Sequence, residues 1–151
     1  MPSTPPTKLL AGVPVPDTPL INKALAFARA HCDDFTYNHV VRSWLFGTYI
    51  SDQIPDFKSR DVELHAITAL LHDMGWTISG DTVSKDKRFE VDGAEATRAF
   101  LIREGEKGDW DARRLQLAWD SVLLTWRAIA LKGRHFWMSW RLLKINHQLD
   151  D

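Results

Sequence analysis

The stretch DVELHAITALLHDMG at residues 61–75 decides the fold of this chain. Its central part, residues 66–71, is apolar on nearly every face of a helix, and this predicts a helix that is buried on all sides. Gly75 is predicted to end the helix at a C-cap position. A histidine and an aspartate, His72 and Asp73, therefore lie at the C-terminal end of a buried helix, where the helix dipole favours positive charge.

The sequence on both sides of this stretch also has helical periodicity, from Leu20 to Leu131. In chain order the predicted boundaries are an N-cap at Asp34 or Thr36, a helix end near Ile50, a loop at 52–59, a polar, turn-rich segment at 77–89, capping-box spacing at Asp92–Glu95 and an N-cap at Asp109 or Asp111. No region shows several β-branched runs with period two. We therefore predict an all-α helical bundle.

The composition sets limits on the class of protein. The chain has 151 residues, of which 44% are hydrophobic and 26% charged, with a net charge of −1. Such a chain suits one domain and is unlike a disordered, collagenous or disulfide-rich protein. The single cysteine, Cys32, the absence of any apolar run near roughly 18 residues and the absence of a secretory pattern predict a cytoplasmic protein without a transmembrane segment. The near-neutral charge gives no reason to expect nucleic acid as a partner.

The two ends of the chain differ from its middle. Six of the seven prolines lie in the first 19 residues, so residues 1–18 are predicted to be an extended or irregular arm before a helical domain at 19–130. Residues 131–151 form a basic, tryptophan-rich tail, and no acidic residue occurs from Ser121 to Leu149. We expect the tail to dock on its own bundle or to bind a protein partner, with an anionic membrane surface as the alternative.

His72 and Asp73 are candidate metal ligands. A carboxylate beside a buried apolar run carries a large desolvation cost, which a bound divalent cation would offset. The alternative is a local cap at Asp73 and a core histidine at His72. His39 is a third candidate, because at helical spacing it shares a face with Phe35, Ser43 and Phe46, although a core histidine is the alternative there too.

Four strings in the sequence occur together in one known family. They are NHVVR at 38–42, ELHAITALLHDMGW at 63–76, RFEVDGA at 88–94 and RLQLAWD at 114–120. Across residues 18–124 the chain resembles the HD-domain superfamily of all-α metal-dependent hydrolases, and within it the fungal branch related to cyanamide hydratase. The resemblance implies that His39, His72 and Asp73 hold one divalent ion. Zinc, iron and manganese all suit such mixed nitrogen and oxygen ligation.

The resemblance also implies a reaction on a small polar substrate. In the cyanamide hydratase-like branch, metal-activated water adds to a nitrile, while phosphoester hydrolysis is the other common chemistry of the superfamily. The candidate catalytic residues are Asp73, Lys87 and Arg88, of which the two cations would meet a polar or anionic substrate or else form a solvated loop cluster. His65 lies two helical turns before His72, about 10.5 Å away, so the two cannot share one ion. We therefore interpret His65 as a structural residue or as a support to the ligands.

The chain departs from the family pattern near its end. The family places a further histidine after the Trp-Asp string and a late aspartate, but here Thr125 follows Leu124 directly and no aspartate occurs between Asp120 and Asp150. Three residues, Asp120, His135 and His147, could replace the missing late ligand, but none of them matches its position in the family pattern. The C-terminal helices are thus predicted to be incomplete or replaced. Two alternatives to an active enzyme follow: a truncated module without turnover, and a partner- or membrane-binding protein that acts through its tail.

Overall fold

The computed structural model describes residues 5–77, 80 and 82–132, and the side chains as far as Leu124. Within this range five α-helices follow a short β-hairpin, with two 3₁₀ turns between them. The elements are β1 (Thr7–Leu10), β2 (Val13–Pro16), α1 (Pro19–His31), α2 (Asp34–Gln53), a 3₁₀ turn (Pro55–Phe57), α3 (Val62–Leu71), a 3₁₀ turn (Met74–Trp76), α4 (Phe89–Glu104) and α5 (Ala112–Lys132). The predicted all-α fold class is confirmed.

The proline-rich arm contains the hairpin. Strands β1 and β2 pair antiparallel, with Leu10 opposite Val13 at the turn. Ala11 and Gly12 connect them with φ values of 48° and 78°, the pair of positive φ angles that a tight two-residue hairpin needs. Val15 is fully buried in the core. The sequence predicts extended chain here but not the pairing of β1 with β2, because the segment lacks β-branched alternation.

The division of the chain after residues 18 and 130 stays a prediction.

Side-chain caps explain where four of the helices begin. The backbone N–H groups of Ile21, Thr36, Leu64 and Arg114 donate to Thr18, Asp33, Asp61 and Asp111 respectively. Each bond satisfies one of the N–H groups that a helix start leaves unpaired. The predicted cap at Asp111 is confirmed, whereas the cap of α2 is Asp33 rather than Asp34 or Thr36.

Helix α3 is the centre of the bundle. Ala66, Ile67, Leu70 and Leu71 have no exposed surface, and α3 contacts each of the other four helices. This burial on several sides is what the apolar run at 66–71 predicts, since a helix that is apolar all round has no face for solvent. The C-terminal end of α3 is therefore held in the interior, and the residues that follow it start from a fixed position.

Gly75 does not cap α3, so that prediction is wrong. Helix α3 ends at Leu71 with His72 at the C-cap, and Gly75 lies in the following 3₁₀ turn. A Cβ atom at Gly75 would overlap the carbonyl oxygen of Phe89 and lie 2.7 Å from its carbonyl carbon. Glycine is required here because the first turn of α4 packs directly on this backbone.

The predicted capping box at Asp92–Glu95 is also wrong. Helix α4 begins at Phe89, and Asp92 is a buried residue of its first turn. The Oδ2 atom of Asp92 accepts hydrogen bonds from the Ser84 backbone N–H at 2.8 Å and from the Ser84 hydroxyl at 3.1 Å. Asp92 thus fixes the segment before α4 instead of starting the helix.

Arg114 joins α5 to α3 and should contribute strongly to stability. Its Nε and Nη2 atoms donate to Asp61 at 2.8 and 3.0 Å, and Nη2 also donates to Glu63 at 3.2 Å. We expect Arg114→Ala to lower the free energy of unfolding by about 1–3 kcal/mol, because two partly buried carboxylates lose their cation. Urea unfolding measures the change. Arg113→Ala, at the exposed neighbouring position, should change it by less than about 0.5 kcal/mol; equal losses in the two variants would contradict the role of Arg114.

No helix in the described part of the chain is long and apolar enough to cross a membrane. The cytoplasmic location inferred from the sequence stays a prediction. The expectations for the tail at 131–151 concern residues that lie, beyond Lys132, outside the described range.

Candidate metal centre

The structure brings His39, His72 and Asp73 together. The Nε2 atoms of His39 and His72 each lie 3.4 Å from Oδ2 of Asp73, and the two imidazole ring centroids are 5.3 Å apart. One ligand atom from each residue lies within 4.8 Å of the others. His39 comes from the second turn of α2, whereas His72 and Asp73 follow the end of α3, so the packing of α2 on α3 assembles the group.

A hydrogen bond to the backbone orients the His72 ring. Its Nδ1 atom lies 2.8 Å from the carbonyl oxygen of Ala69. A carbonyl oxygen can only accept, so Nδ1 carries the hydrogen and, in the neutral ring, Nε2 presents a lone pair. This bond aims Nε2 at the Asp73 carboxylate, and a backbone carbonyl on the second ring nitrogen is the usual support of a metal-binding histidine.

The backbone turns sharply at Asp73 and presents its carboxylate. Asp73 has φ −99° and ψ 16°, the bridge region of backbone space that many active-site residues occupy. Its carbonyl oxygen accepts from the N–H of Trp76 at 2.8 Å, which closes the 3₁₀ turn. Because Gly75 and Gly93 allow the first turn of α4 to lie against this segment, the backbone on either side of Asp73 is packed directly on α4.

His39 opens the group to solvent. Its side chain is 45% exposed, against 18% for Asp73 and 10% for His72. Phe35, which shares this helix face one turn earlier on α2, is 83% exposed, so the alternative of a core histidine at His39 is wrong on that side. Partial burial lowers the pKa of His39 and the nearby His72 lowers it further, against the opposing effect of Asp73. The neutral, metal-binding form of His39 is therefore favoured.

The donor set fits a divalent ion. The lone pair of His72 Nε2 and the carboxylate oxygen of Asp73 are both acceptors, yet they face each other at 3.4 Å, an arrangement that a cation between them stabilises. Two donors about 2.1 Å from one tetrahedral ion lie about 3.4 Å apart, which agrees with the distance from Oδ2 of Asp73 to Nε2 of each histidine. A site with three protein ligands and one open coordination position is also typical of a catalytic rather than a structural metal ion.

Lys87 and Arg88 lie immediately before α4. The Arg88 guanidinium is 81% exposed and donates to Oε1 of the buried Glu90 at 2.8 Å. The other oxygen of Glu90 is buried and has no hydrogen-bond partner within the described residues. Arg88 therefore supplies counter-charge to a buried carboxylate. The exposed Lys87 donates its backbone N–H to the Ser84 hydroxyl. Catalytic roles for Lys87 and Arg88 stay predictions.

Two other candidates within the described residues, Asp120 and His65, make their contacts outside the group. Asp120 accepts a hydrogen bond from Gln116 on α5, and His65 packs on Gly47 and accepts from Arg60 Nε at 3.3 Å. Neither belongs to the three-residue group. His135 and His147 lie outside the described residues. His65 is thus a structural contact between α3 and α2, as one of the two interpretations has it.

His65 should make the stability of the fold depend on pH. Burial lowers its pKa, and the Arg60 cation lowers it further, so the folded chain holds His65 neutral where the unfolded chain, with a pKa near 6.5, takes up a proton. Stability should therefore fall as the pH drops below about 6.5. We expect His65→Gln to show a smaller loss of unfolding free energy between pH 7.5 and pH 5.5 than the unaltered chain. Urea unfolding measures both free energies. An equal loss of unfolding free energy over this pH range in the variant and in the unaltered chain would contradict this role of His65.

The fold and the site together define a class of metal-dependent proteins: a helical bundle with a His-Asp pair after a buried helix and a further histidine on a neighbouring helix. The comparison with family models gives the same class. Residues 36–136, more than half of the chain, match the model described as HD domain, and the chain belongs to this family. HD domains are in general metal-dependent hydrolases. No curated protein and no solved structure matches the chain significantly.

Proposed function

We propose that this chain is a metal-dependent hydratase of the HD type that adds water to the nitrile of a small polar substrate, in the manner of cyanamide hydratase. The observation that carries the proposal is the convergence of His39, His72 and Asp73 at a position where His39 is nearly half exposed. A substrate and a water molecule can reach the group from the His39 side. A divalent ion, zinc, iron or manganese, is the cofactor that this donor set suits.

The three residues have separate tasks in this proposal. His39 and His72 would hold the ion through Nε2, and Ala69 keeps the His72 ring in place. When bound, such an ion lowers the pKa of a water molecule and polarises the substrate. Asp73 would be the third ligand through Oδ2, which lies 3.4 Å from Nε2 of each histidine, while its Oδ1 has no hydrogen bond within the described part of the chain. We assign Oδ1 to accept the proton of the attacking water.

The reaction balances with water, the nitrile and Asp73 as the group that carries the proton. The water oxygen forms a bond to the nitrile carbon, one C–N π bond breaks, and the proton that Asp73 accepted passes to the nitrile nitrogen. With cyanamide the product is urea after a second proton shift within the product. No redox partner or further reactant is consumed, and Asp73 returns to its starting state. Exposed Lys87 and Arg88 would attract a polar substrate to this side of α4, which is the role we assign to them.

The activity should depend on Asp73 and not on Asp120. We expect metal-loaded protein to form urea from cyanamide, followed by a urease-coupled assay. Asp73→Asn should reduce the rate by at least about 100-fold, the lower range for loss of a general base. Asp120→Asn should leave the rate within about twofold, because Asp120 bonds Gln116 on α5 and is not part of the group.

Three outcomes would contradict the proposal or the roles that it assigns. A protein with one bound ion per chain that consumes neither cyanamide nor a phosphoester such as bis(p-nitrophenyl) phosphate would be the inactive module. Hydrolysis of the phosphoester alone would assign the site to the other common chemistry of the family. A loss of activity in Asp120→Asn would show instead that α5 supplies the late ligand that the sequence lacks.

A further inference from the structure

Two exposed aromatic side chains lie at the end of the bundle that carries the candidate metal centre. Phe35 is 83% exposed and shares a face of α2 with His39, one turn later. Trp76 is 66% exposed and is the last residue of the 3₁₀ turn that follows Asp73. Its ring is held edge-on against Phe89, with 5.2 Å between the ring centroids. We call Phe35 and Trp76 the aromatic rim; exposed apolar side chains grouped at one site mark an interaction surface.

Helix α5 leads toward the rim end of the bundle. Helices α4 and α5 are consecutive, pack against each other and are joined by residues 105–111. The Trp119 indole on α5 donates to Glu95 in the first half of α4, so the two helices run antiparallel. The distance from Glu95 back to the start of α4 is about 9 Å, whereas the distance from Trp119 to Lys132 is about 20 Å. Helix α5 therefore ends about 10 Å beyond the start of α4.

The start of α4 lies beside the aromatic rim. The carbonyl oxygen of Phe89 takes the space that a Cβ atom at Gly75 would need, and Gly75 directly precedes Trp76. The chain that follows α5 therefore starts at the rim end of the bundle. Residues 133–151 could span up to about 60 Å when extended, which is long enough to reach both sides of the rim.

The composition of residues 133–151 is complementary to this end of the bundle. They combine aromatic and basic side chains in one short stretch, namely Arg134, Phe136, Trp137, Trp140, Arg141 and Lys144. The rim end carries two carboxylates, Asp33 and Asp73, that form no ion pair with a lysine or arginine within the described residues. Asp33 is two residues before Phe35 in the sequence. The tail therefore offers both the apolar groups and the cations that this surface lacks.

We propose that residues 133–151 fold back over the aromatic rim and cover the group of His39, His72 and Asp73. Aromatic side chains of this segment would pack on Phe35 and Trp76. The chain's own tail is the occupant, because it is tethered at the rim end and so has a far higher effective concentration than a separate partner. A substrate would then reach the covered group only when the tail opens. The proposal concerns access to the group and does not depend on the hydratase activity.

Limited trypsin digestion of the full-length chain tests the proposal. Cleavage after Arg134, Arg141 and Lys144 is followed by mass spectrometry, and its rate reports the fraction of chains whose tail is undocked. We expect these bonds to be cleaved at least about tenfold faster in Phe35→Gln and in Trp76→Gln than in the unaltered chain. Both substitutions remove apolar contacts without adding charge, and circular dichroism checks that each variant is folded.

Ile102→Gln is the matched control. Ile102 is 64% exposed but lies near the other end of α4, so its replacement should leave the cleavage rate within about twofold. Equal cleavage rates in the unaltered chain and in both rim variants, or an equal acceleration in Ile102→Gln, would overturn the proposal. Two further results would also overturn it. Protection that increases with protein concentration would assign the rim to the tail of a second copy, and protection only with phosphatidylserine vesicles would assign the tail to an anionic membrane surface.

Discussion

Replacing His72 by alanine is expected to abolish stoichiometric metal binding. The metal content of the purified protein, measured by mass spectrometry, should fall from about one ion per chain to below about 0.1. The reason is that His72 is the least exposed of the three donors and the only one whose ring is held by a backbone carbonyl, that of Ala69. Removal of this ligand leaves His39 and Asp73, and two protein ligands are fewer than the three or four that such ions take.

Thermal unfolding gives a second measure of the same change. An ion present at 1,000 times its Kd stabilises the folded chain by about 4 kcal/mol, which is about 8–16 °C in Tm for a protein of this size. We expect this rise in the unaltered chain and a rise below about 2 °C in His72→Ala.

His65→Gln is the matched control for this experiment, because it alters a histidine of the same helix that lies outside the group. It should keep the full metal content. A metal-free unaltered chain, or an equal loss of metal in the two variants, would contradict the assignment of the site.

Gly75→Ala is expected to destabilise the fold more than any surface substitution. The added Cβ would overlap the carbonyl oxygen of Phe89 and approach the backbone nitrogen of Gly93 to 2.9 Å. Both obstacles are backbone atoms of α4, so no side chain can rotate away, and the helix must shift. Overpacking of this kind costs about 3 kcal/mol or more in the free energy of unfolding, which urea titration measures.

The same substitution should also weaken metal binding. Gly75 lies two residues after Asp73, and any shift of α4 away from this segment moves the support of the carboxylate. Gly80→Ala is the control, since a Cβ at Gly80 would meet no atom of the described residues within 4 Å. It should change the unfolding free energy by less than about 0.5 kcal/mol and leave the metal content unaltered. A stable, metal-loaded Gly75→Ala variant would show that α4 does not buttress the site.

Local patterns predicted much of this molecule because they depend on neighbours along the chain. The apolar run at 66–71 predicted the central helix, and the hydrogen bond at Asp111 confirmed a predicted cap. The local pattern was misleading where a residue makes a contact with a segment distant in the chain. Gly75 resembles a C-cap in sequence, yet glycine is required at this position because the backbone of Phe89, in another helix, lies against it. Asp92 resembles a helix cap, yet it is buried and bonds Ser84.

In the candidate site, too, the sequence predicted the local features but not the contacts between distant segments. The placement of His72 and Asp73 beside a buried run marked them as candidate ligands, and helical spacing made His39 a third candidate. The resemblance to a known family then implied that the three residues hold one ion. Nothing in the sequence indicated that Ala69 would orient the His72 ring, since any backbone carbonyl is available for such a bond.

The sequence by itself determined the class of fold, the buried central helix and the histidine–aspartate pair at its end, because hydrophobic periodicity acts over a few residues. Only the tertiary structure decided that Nε2 of His39 lies 3.4 Å from Oδ2 of Asp73, and that Gly75 and Gly93 allow the first turn of α4 to pack closely on the backbone after α3. These features depend on how helices distant in the chain pack against one another. That packing is decided by the shape and burial of all the contacting side chains together and not by any one segment.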